Sequence, residues 1–242
     1  MTGKYEQDLA YIHDQGFGEF AKNAAPGLLK MLREHGIHSG LVVDLGCGSG
    51  IWARYLHDHG YEVFGVDQSA AMIQLARRTA PAAKFKNGSL FNTTLPSSVA
   101  VTSLGECISY LFDRNFKKDS LLKLFRNVYR ALQPGGIFIF DVMESLPYEL
   151  KYPKKLYKEG KDWAILFAAT CDRKQKILTR HMVTYRKIGN HYRRGEEVHR
   201  LRVLGRKIVR RELERAGFGV RYLQSYGKMR MMPGRLAFLA QK

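Results

Sequence analysis

The sequence predicts an α/β fold built on a mainly parallel sheet, and three observations carry that expectation. Apolar, β-prone runs alternate with amphipathic helical segments from about residue 40 to residue 143. The runs are continuously apolar rather than alternating, as strands buried on both faces require. Between the first run and its helix lies "VVDLGCGSG" (42–50), where Gly46, Gly48 and Gly50 let a ligand approach the backbone.

Residues 5–35 read as helical. Leu9, Ile12, Phe17, Phe20, Ala24, Leu28, Leu29 and Leu32 recur at mostly helical spacing, with interruptions at Gly16–Gly18 and Pro26. Gly36 and Gly40 bracket a loop before the strand "LVVDL". "IWARYLHDHG" is a helix closed by Gly60, "YEVFGVD" the second strand, and "QSAAMIQLARRTAP" a helix stopped at Pro81. "AKFKNGSL" reads as a short strand and "VAVTSLGECISYL" as a fourth strand entering a loop. "DSLLKLFRNVYRAL" is an amphipathic helix capped by Asp119, "QPGG" a turn, and "IFIFDVM" the fifth strand.

The texture changes near residue 155. "DWAILFAATCD", "KILTRHMVTYRKIG" and "HYRRGEEVHRLRVL" alternate at about period two, which predicts a three-stranded antiparallel meander. "GRKIVRRELERAGF" returns to helix and ends at Gly217, and "VRYLQSYG" and "GRLAFLAQK" are closing strands. No composition break suggests a free linker. One domain over 1–242 is expected, with the meander at 155–204 as an insertion and 205–242 as the closing helix and strands.

Composition narrows the classes. The first residues contain acids and no apolar run, unlike a secretory signal, and no stretch reaches the ~20 apolar residues of a membrane span. Cys47, Cys107 and Cys171 lie far apart with no Cys/His cluster, so neither a disulfide framework nor a metal site is expected. A cytoplasmic setting follows as the default. The net charge of +18 is uneven: residues 1–150 hold 15 Lys+Arg and 15 Asp+Glu, whereas 151–242 hold 25 and 7. That asymmetry suits either an anionic partner such as nucleic acid or a solvated basic surface, and the scarcity of aromatic RNA motifs favours the second.

The loop itself discriminates among ligands. A phosphate loop needs GxxxxGK[ST], and no lysine follows Gly46 at that spacing. A dinucleotide fingerprint needs a third glycine at position 51, where Ile51 stands. Asp44, two residues before the loop, would repel a pyrophosphate and suits a cationic group. Asp67 ends the second strand, where a carboxylate can accept both hydroxyls of a ribose. These features describe a site for a nucleoside with a cationic side arm.

The pattern resembles the class I S-adenosylmethionine-dependent methyltransferases. "VVDLGCGSG" matches their hhDhGxGxG motif, with h apolar, at every position, and Asp67 in "VDQSAAM" matches the acid after the second strand. "NGSLFNTTLP", "TSLGECISYL" and "RALQPGGIFIFDV" follow in the family's order. The resemblance implies a Rossmann-like doubly wound, mainly parallel sheet with an antiparallel final strand. It also implies a helical N-terminal lid (1–39), a cofactor-binding core (40–150) and an antiparallel β insertion over the acceptor site.

It further implies S-adenosyl-L-methionine as cofactor. Gly46, Cys47 and Gly48 would lie against its methionine portion and Asp44 near its ammonium. Asp67 would take the ribose hydroxyls, Gln68 and Met72 flank the adenine, Ser89 and Leu90 meet the adenine edge, and Leu104 and Gly105 face the methyl group. Methyl transfer depends largely on alignment, so catalytic residues are weakly encoded. Glu106, Tyr11, His181 and His199 are the candidates; each has a structural reading beside the functional one. Cys107 lacks the Pro-Cys context of pyrimidine C5 methylation and is expected to be buried. His13, Phe17 and Phe20 accompany Tyr11 on the expected lid. "LGECISYL" stands where enzymes acting on exocyclic base amines often carry [DNS]PP[YFW], which favours a small-molecule N or O acceptor over RNA. A non-catalytic cofactor-binding module is the third reading. Oligomeric state is not encoded legibly.

Overall fold

Val42, Val43, Asp44 and Leu45 are all buried, because β1 (Gly40–Leu45) has strands on both edges and helices on both faces. The computed structural model describes residues 4–113, 116–117, 119–146 and 154–242. Residues 1–3 of the expected lid and 147–150 of the expected core segment lie outside that set.

Two helices, α1 (Gln7–Phe17) and α2 (Glu19–Glu34), precede β1. There follow α3 (Ile51–Asp58), β2 (Tyr61–Asp67), α4 (Ala70–Thr79), β3 (Lys84–Asn87), β4 (Ser98–Ser103), α5 (Ser120–Ala131) and β5 (Leu132–Met143). Then come β6 (Lys154–Glu159), β7 (Trp163–Asp172), β8 (Ile177–Ile188), β9 (His191–Arg202) and α6 (Arg206–Ala216). The chain closes with β10 (Gly219–Leu223), β11 (Ser225–Tyr226), β12 (Met229–Arg230) and β13 (Arg235–Gln241).

The main sheet runs β10-β13-β5-β4-β1-β2-β3. Strands β1 to β5 pair in parallel, and β13 pairs antiparallel with β5. The mainly parallel sheet and its antiparallel final strand are thus as the sequence led us to expect. On one face Leu124, Phe125 and Val128 of α5 and Val209 and Leu213 of α6 pack against Phe138, Phe140 and Phe238. On the other, Leu28 and Leu32 of α2 and Trp52 and Leu56 of α3 cover Val42, Ile137 and Leu239. Strand order reverses at β1, so the loops after β1 and β4 diverge and leave a crevice at the strands' C-terminal ends.

Four readings need correction. The meander has four strands, in the order β6-β7-β8-β9, because the charged segment at 154–159 pairs with β7 as an edge. "QPGG" is a bulge within β5: pairing passes from Ser98–Leu132 to Ala100–Ile137, with Gly135 at φ +78°. Asp119 stands at the N-cap of α5 but its side chain makes no capping bond and pairs with Lys123 instead. "VRYLQSYG" is split, β10 joining the main sheet and β11 forming a ribbon with β12.

Candidate functional site

The glycine loop turns sharply because its first two amides fold back: Gly46 N and Cys47 N both donate to Val66 O, at 2.7 and 3.0 Å. Gly46, Gly48 and Gly50 take φ of +79°, +52° and +81°, a region costly to other residues. A Cβ on Gly46 would lie 2.4 Å from Cys107 Sγ, so packing excludes it. A Cβ on Gly48 would meet nothing within 4 Å. That open side faces a cavity of about 600 Å³ lined by Asp44, Gly46, Cys47, Gly48, Asp67, Gln68, Met72, Leu90, Leu104 and Gly105 among others.

Two carboxylates define the loop end of this cavity. Asp67 accepts the backbone N–H of Gly48 at 3.0 Å and of Ser69 at 2.8 Å, which orients it while burial pushes its pKa upward. Asp44 is 3% exposed and accepts the Thr102 hydroxyl at 2.7 Å; Thr102 in turn accepts from Trp52 Nε1 at 3.2 Å. Burial pushes the Asp44 carboxyl up to about 7, a value that a neighbouring cation would bring down. Gln68 Oε1 is buried with no hydrogen-bond partner. An open backbone cradle, a fixed acceptor, a desolvated acid awaiting a cation and an orphaned amide oxygen together fit a nucleoside bearing an ammonium arm.

The cavity continues past Leu104 and Gly105 to a second chamber. Its walls come from α1 and α2 (His13, Phe17, Phe20), the turn after β4 (Tyr110, Phe112), and the four-stranded sheet (Leu156, Ile165, Phe167, Arg180, Met182, His199), joined by Arg235. Tyr5 seals it. Its ring lies 4.7 Å from that of His199, its hydroxyl 3.0 Å from that of Tyr110, and its carbonyl accepts from Ser69 Oγ at 2.7 Å. His13, half-buried beside Tyr5, is lowered to about 4 by desolvation and is therefore neutral near pH 7.

The expected cofactor residues gather at one end, with one exception. Ser89 does not line the cavity; it donates to Asp113 at 2.7 Å and accepts from Phe91 N, shaping the turn that presents Gly88 and Leu90. Cys107, expected to be buried, is half-buried and lines the wall, and burial raises its thiol well above the usual range.

Three of the catalytic candidates do not line the cavity. Glu106 is 0% exposed and ion-paired to Arg180 at 2.9 Å and Arg235 at 2.8 Å, so it organises two guanidiniums rather than facing an acceptor. His181 points to the outer face of β8, paired with Glu196 at 2.8 Å and 45% exposed. Tyr11 bonds Asp162 and lies beneath the Arg186 guanidinium, outside the cavity. His199 lines it.

Sequence reasoning missed Arg180, Arg235 and Asp141. Asp141 is fully buried in "IFIFDVM" and accepts from Gly105 N, Glu106 N and the Tyr226 hydroxyl, bracing the strained turn where Glu106 has φ +63°. An acid in so apolar a run was its signal.

A crevice at the strand reversal, a glycine loop and an acid after the second strand define a nucleoside-binding α/β protein. Residues 42–136 match the family described as "Methyltransferase domain". The fold closely follows the sugar N-methyltransferase KedS8 from Streptoalloteichus, with a TM-score of 0.80 and 20% identity over 100% of this chain and 96% of that one. The chain thus matches that domain over residues 42–136 and shares the fold of that structure over the rest of its length. It is 31% identical to a malonyl-acyl-carrier protein O-methyltransferase from Pectobacterium atrosepticum over 52% of this chain and 47% of the relative. It is 24% identical to the putative methyltransferase YqeM from Bacillus subtilis over 74% and 73%. The chain thus spans about half the length of the first of these relatives. Among the described residues no His, Cys, Asp and Glu cluster could hold a metal, and no helix is long and apolar enough to cross a membrane.

Proposed function

We propose that the protein is an enzyme that transfers a methyl group from S-adenosylmethionine to nitrogen or oxygen of a small molecule. The observation that carries this reading is the continuity of one cavity, from Gly48 and Asp67 to Phe167 and His199. Asp67 holds the ribose hydroxyls, Asp44 the ammonium side, and Met72 and Leu90 the base, with the Gly46–Gly48 backbone beneath the methionine portion. The bound cofactor supplies an activated methyl group with a neutral leaving group. The chain's own contribution is alignment and exclusion of water: Tyr5, Phe17 and Phe20 close the chamber from one side and Phe167 and Met182 from the other.

A cavity of about 600 Å³ suits a cofactor and a compact acceptor together, and small or carrier-bound acceptors appear in the names of the KedS8 and Pectobacterium relatives. The basic C-terminal part is less suited to gripping RNA than its charge suggests. Arg193 pairs with Asp8, Arg206 with Glu144, Arg210 with Glu214, and Arg211 and Arg215 with Glu212. The test is transfer of tritiated methyl from S-adenosylmethionine into fractionated cell extract. Counts are expected in the low-mass fraction and unchanged by nuclease; counts confined to nuclease-sensitive material would overturn the small-molecule reading.

A further inference from the structure

Leu156, Phe167 and Met182 form one row across the inner face of the four-stranded sheet. Leu156 of β6 stands opposite Phe167 of β7, and Phe167 opposite Met182 of β8, so the three side chains share a face. All three line the cavity. The ends of the row lie two strand spacings apart, about 10 Å. Exposure rises along it: Met182 is 5% exposed, Phe167 half-buried and Leu156 51% exposed. The adjacent row behaves alike. Buried Ile165 of β7 stands opposite exposed Lys158 of β6, whose ammonium donates to Gly16 O and lies 4.7 Å from the centre of the Phe17 ring. The apolar track therefore leads out of the chamber instead of closing it.

Two more lining side chains, Phe17 and Met232, are 40% and 59% exposed and so stand at the rim. Large apolar groups left in water around a cavity mouth mark a ligand groove, because covering them releases their hydration. The ionic groups do not favour a charged acceptor instead. Arg180 and Arg235 share Glu106, and Asp141 lies close to Arg235, so two positive charges meet two negative ones. Asp113 accepts the Ser89 hydroxyl and lies near Arg202. The surface that these pairs leave to an acceptor is aromatic and aliphatic.

Resting on the methyltransferase reading above, we propose that the acceptor is an amphipathic small molecule whose apolar tail lies along Met182, Phe167 and Leu156. Its nitrogen or oxygen meets the methyl group near Gly105, and its tail reaches the rim where Phe17 and Met232 stand exposed. A row of about 10 Å matches roughly eight carbons of an extended alkyl chain. Leu156 and Met232 are then specificity residues that read tail length rather than the reacting atom.

Straight-chain 1-alkanols, from butanol to decanol, test this by calorimetric titration into the protein saturated with S-adenosylhomocysteine. Each added CH₂ is expected to tighten binding about three- to fourfold, the equivalent of about 0.8 kcal/mol. Affinity that stays flat with length overturns the proposal, as does a chain that sediments as a dimer with its rim closed to every alkanol. Leu156→Ser is expected to spare butanol and to weaken decanol about tenfold, because only the longer tail reaches that position. Equal weakening at every length overturns the proposal, since a general disturbance of the chamber acts that way. Should the edge strand not tolerate serine, Met232→Ser carries the same test from a separate segment. The unidentified acceptor supplies the second readout. After transfer of tritiated methyl to the low-mass extract fraction, counts are expected in the chloroform phase of a chloroform–methanol–water partition. Counts that remain in the aqueous phase overturn the proposal while leaving the methyltransferase reading intact. No binding of S-adenosylhomocysteine and no transfer overturn that reading and this proposal with it.

Discussion

The backbone N–H of Gly48 donates to the Asp67 carboxylate across 3.0 Å, tying the glycine loop to the end of β2. One carboxylate thereby holds the cradle in shape and keeps lone pairs for a ribose. Ser69 N occupies its other oxygen at 2.8 Å, so the side chain is oriented before any ligand arrives.

Asp67→Ala is expected to weaken S-adenosylmethionine binding by about 10- to 100-fold, since hydrogen bonds to a charged group contribute roughly 1.5–3 kcal/mol. Calorimetric titration checks this. An affinity within twofold of wild type would remove Asp67 from the ribose site.

Gly46 and Gly48 separate packing from binding. Gly46→Ala drives a Cβ to within 2.4 Å of Cys107 Sγ, so its melting temperature is expected to fall by several degrees. Gly48→Val meets open cavity instead, so beyond the cost of a positive φ it should lose cofactor affinity at least tenfold. Thermal melts and titrations of both variants are expected to rank them in opposite order.

The loop and Asp67 were legible because they are local: a strand, a tight turn and a second strand end within 26 residues. The chamber was not. Glu106 lies 74 positions from Arg180, and nothing in "LGECISYL" announces that two arginines will close on it. His181 and His199 looked equivalent on alternation alone. Register decides between them: Arg180 stands opposite His199 and His181 opposite Val198, which puts one histidine inside and the other outside. The strand at 154–159 escaped notice because "KKLYKE" is charged, as edge strands commonly are.

Glu106→Gln is expected to destabilise the protein by about 3–5 kcal/mol, because it leaves the half-buried guanidiniums of Arg180 and Arg235 without their shared carboxylate. Urea unfolding measures this. A loss below 1 kcal/mol would show that Asp141, also nearby, suffices to balance them.

Asp44 gives cofactor binding a pH dependence. Its folded pKa, raised to about 7, exceeds the unfolded value, so the folded protein binds the extra proton and this group's contribution to stability declines as pH rises from about 4 through 7. An ammonium ligand requires the ionised carboxylate. Cofactor affinity is therefore expected to fall about tenfold per pH unit below 7 and to level off above it, and Asp44→Asn to flatten that profile. Titrations at about pH 5.5, 6.5 and 8 read both effects.

The cavity lined by Gly48 and Asp67 is the proposed S-adenosylmethionine site. Isothermal titration of S-adenosylmethionine into the whole chain tests it most directly. One site per chain with micromolar affinity, lost in Asp67→Ala and competed by S-adenosylhomocysteine, is the expected result. No detectable heat at millimolar cofactor, from a protein whose circular dichroism shows it folded, would contradict it.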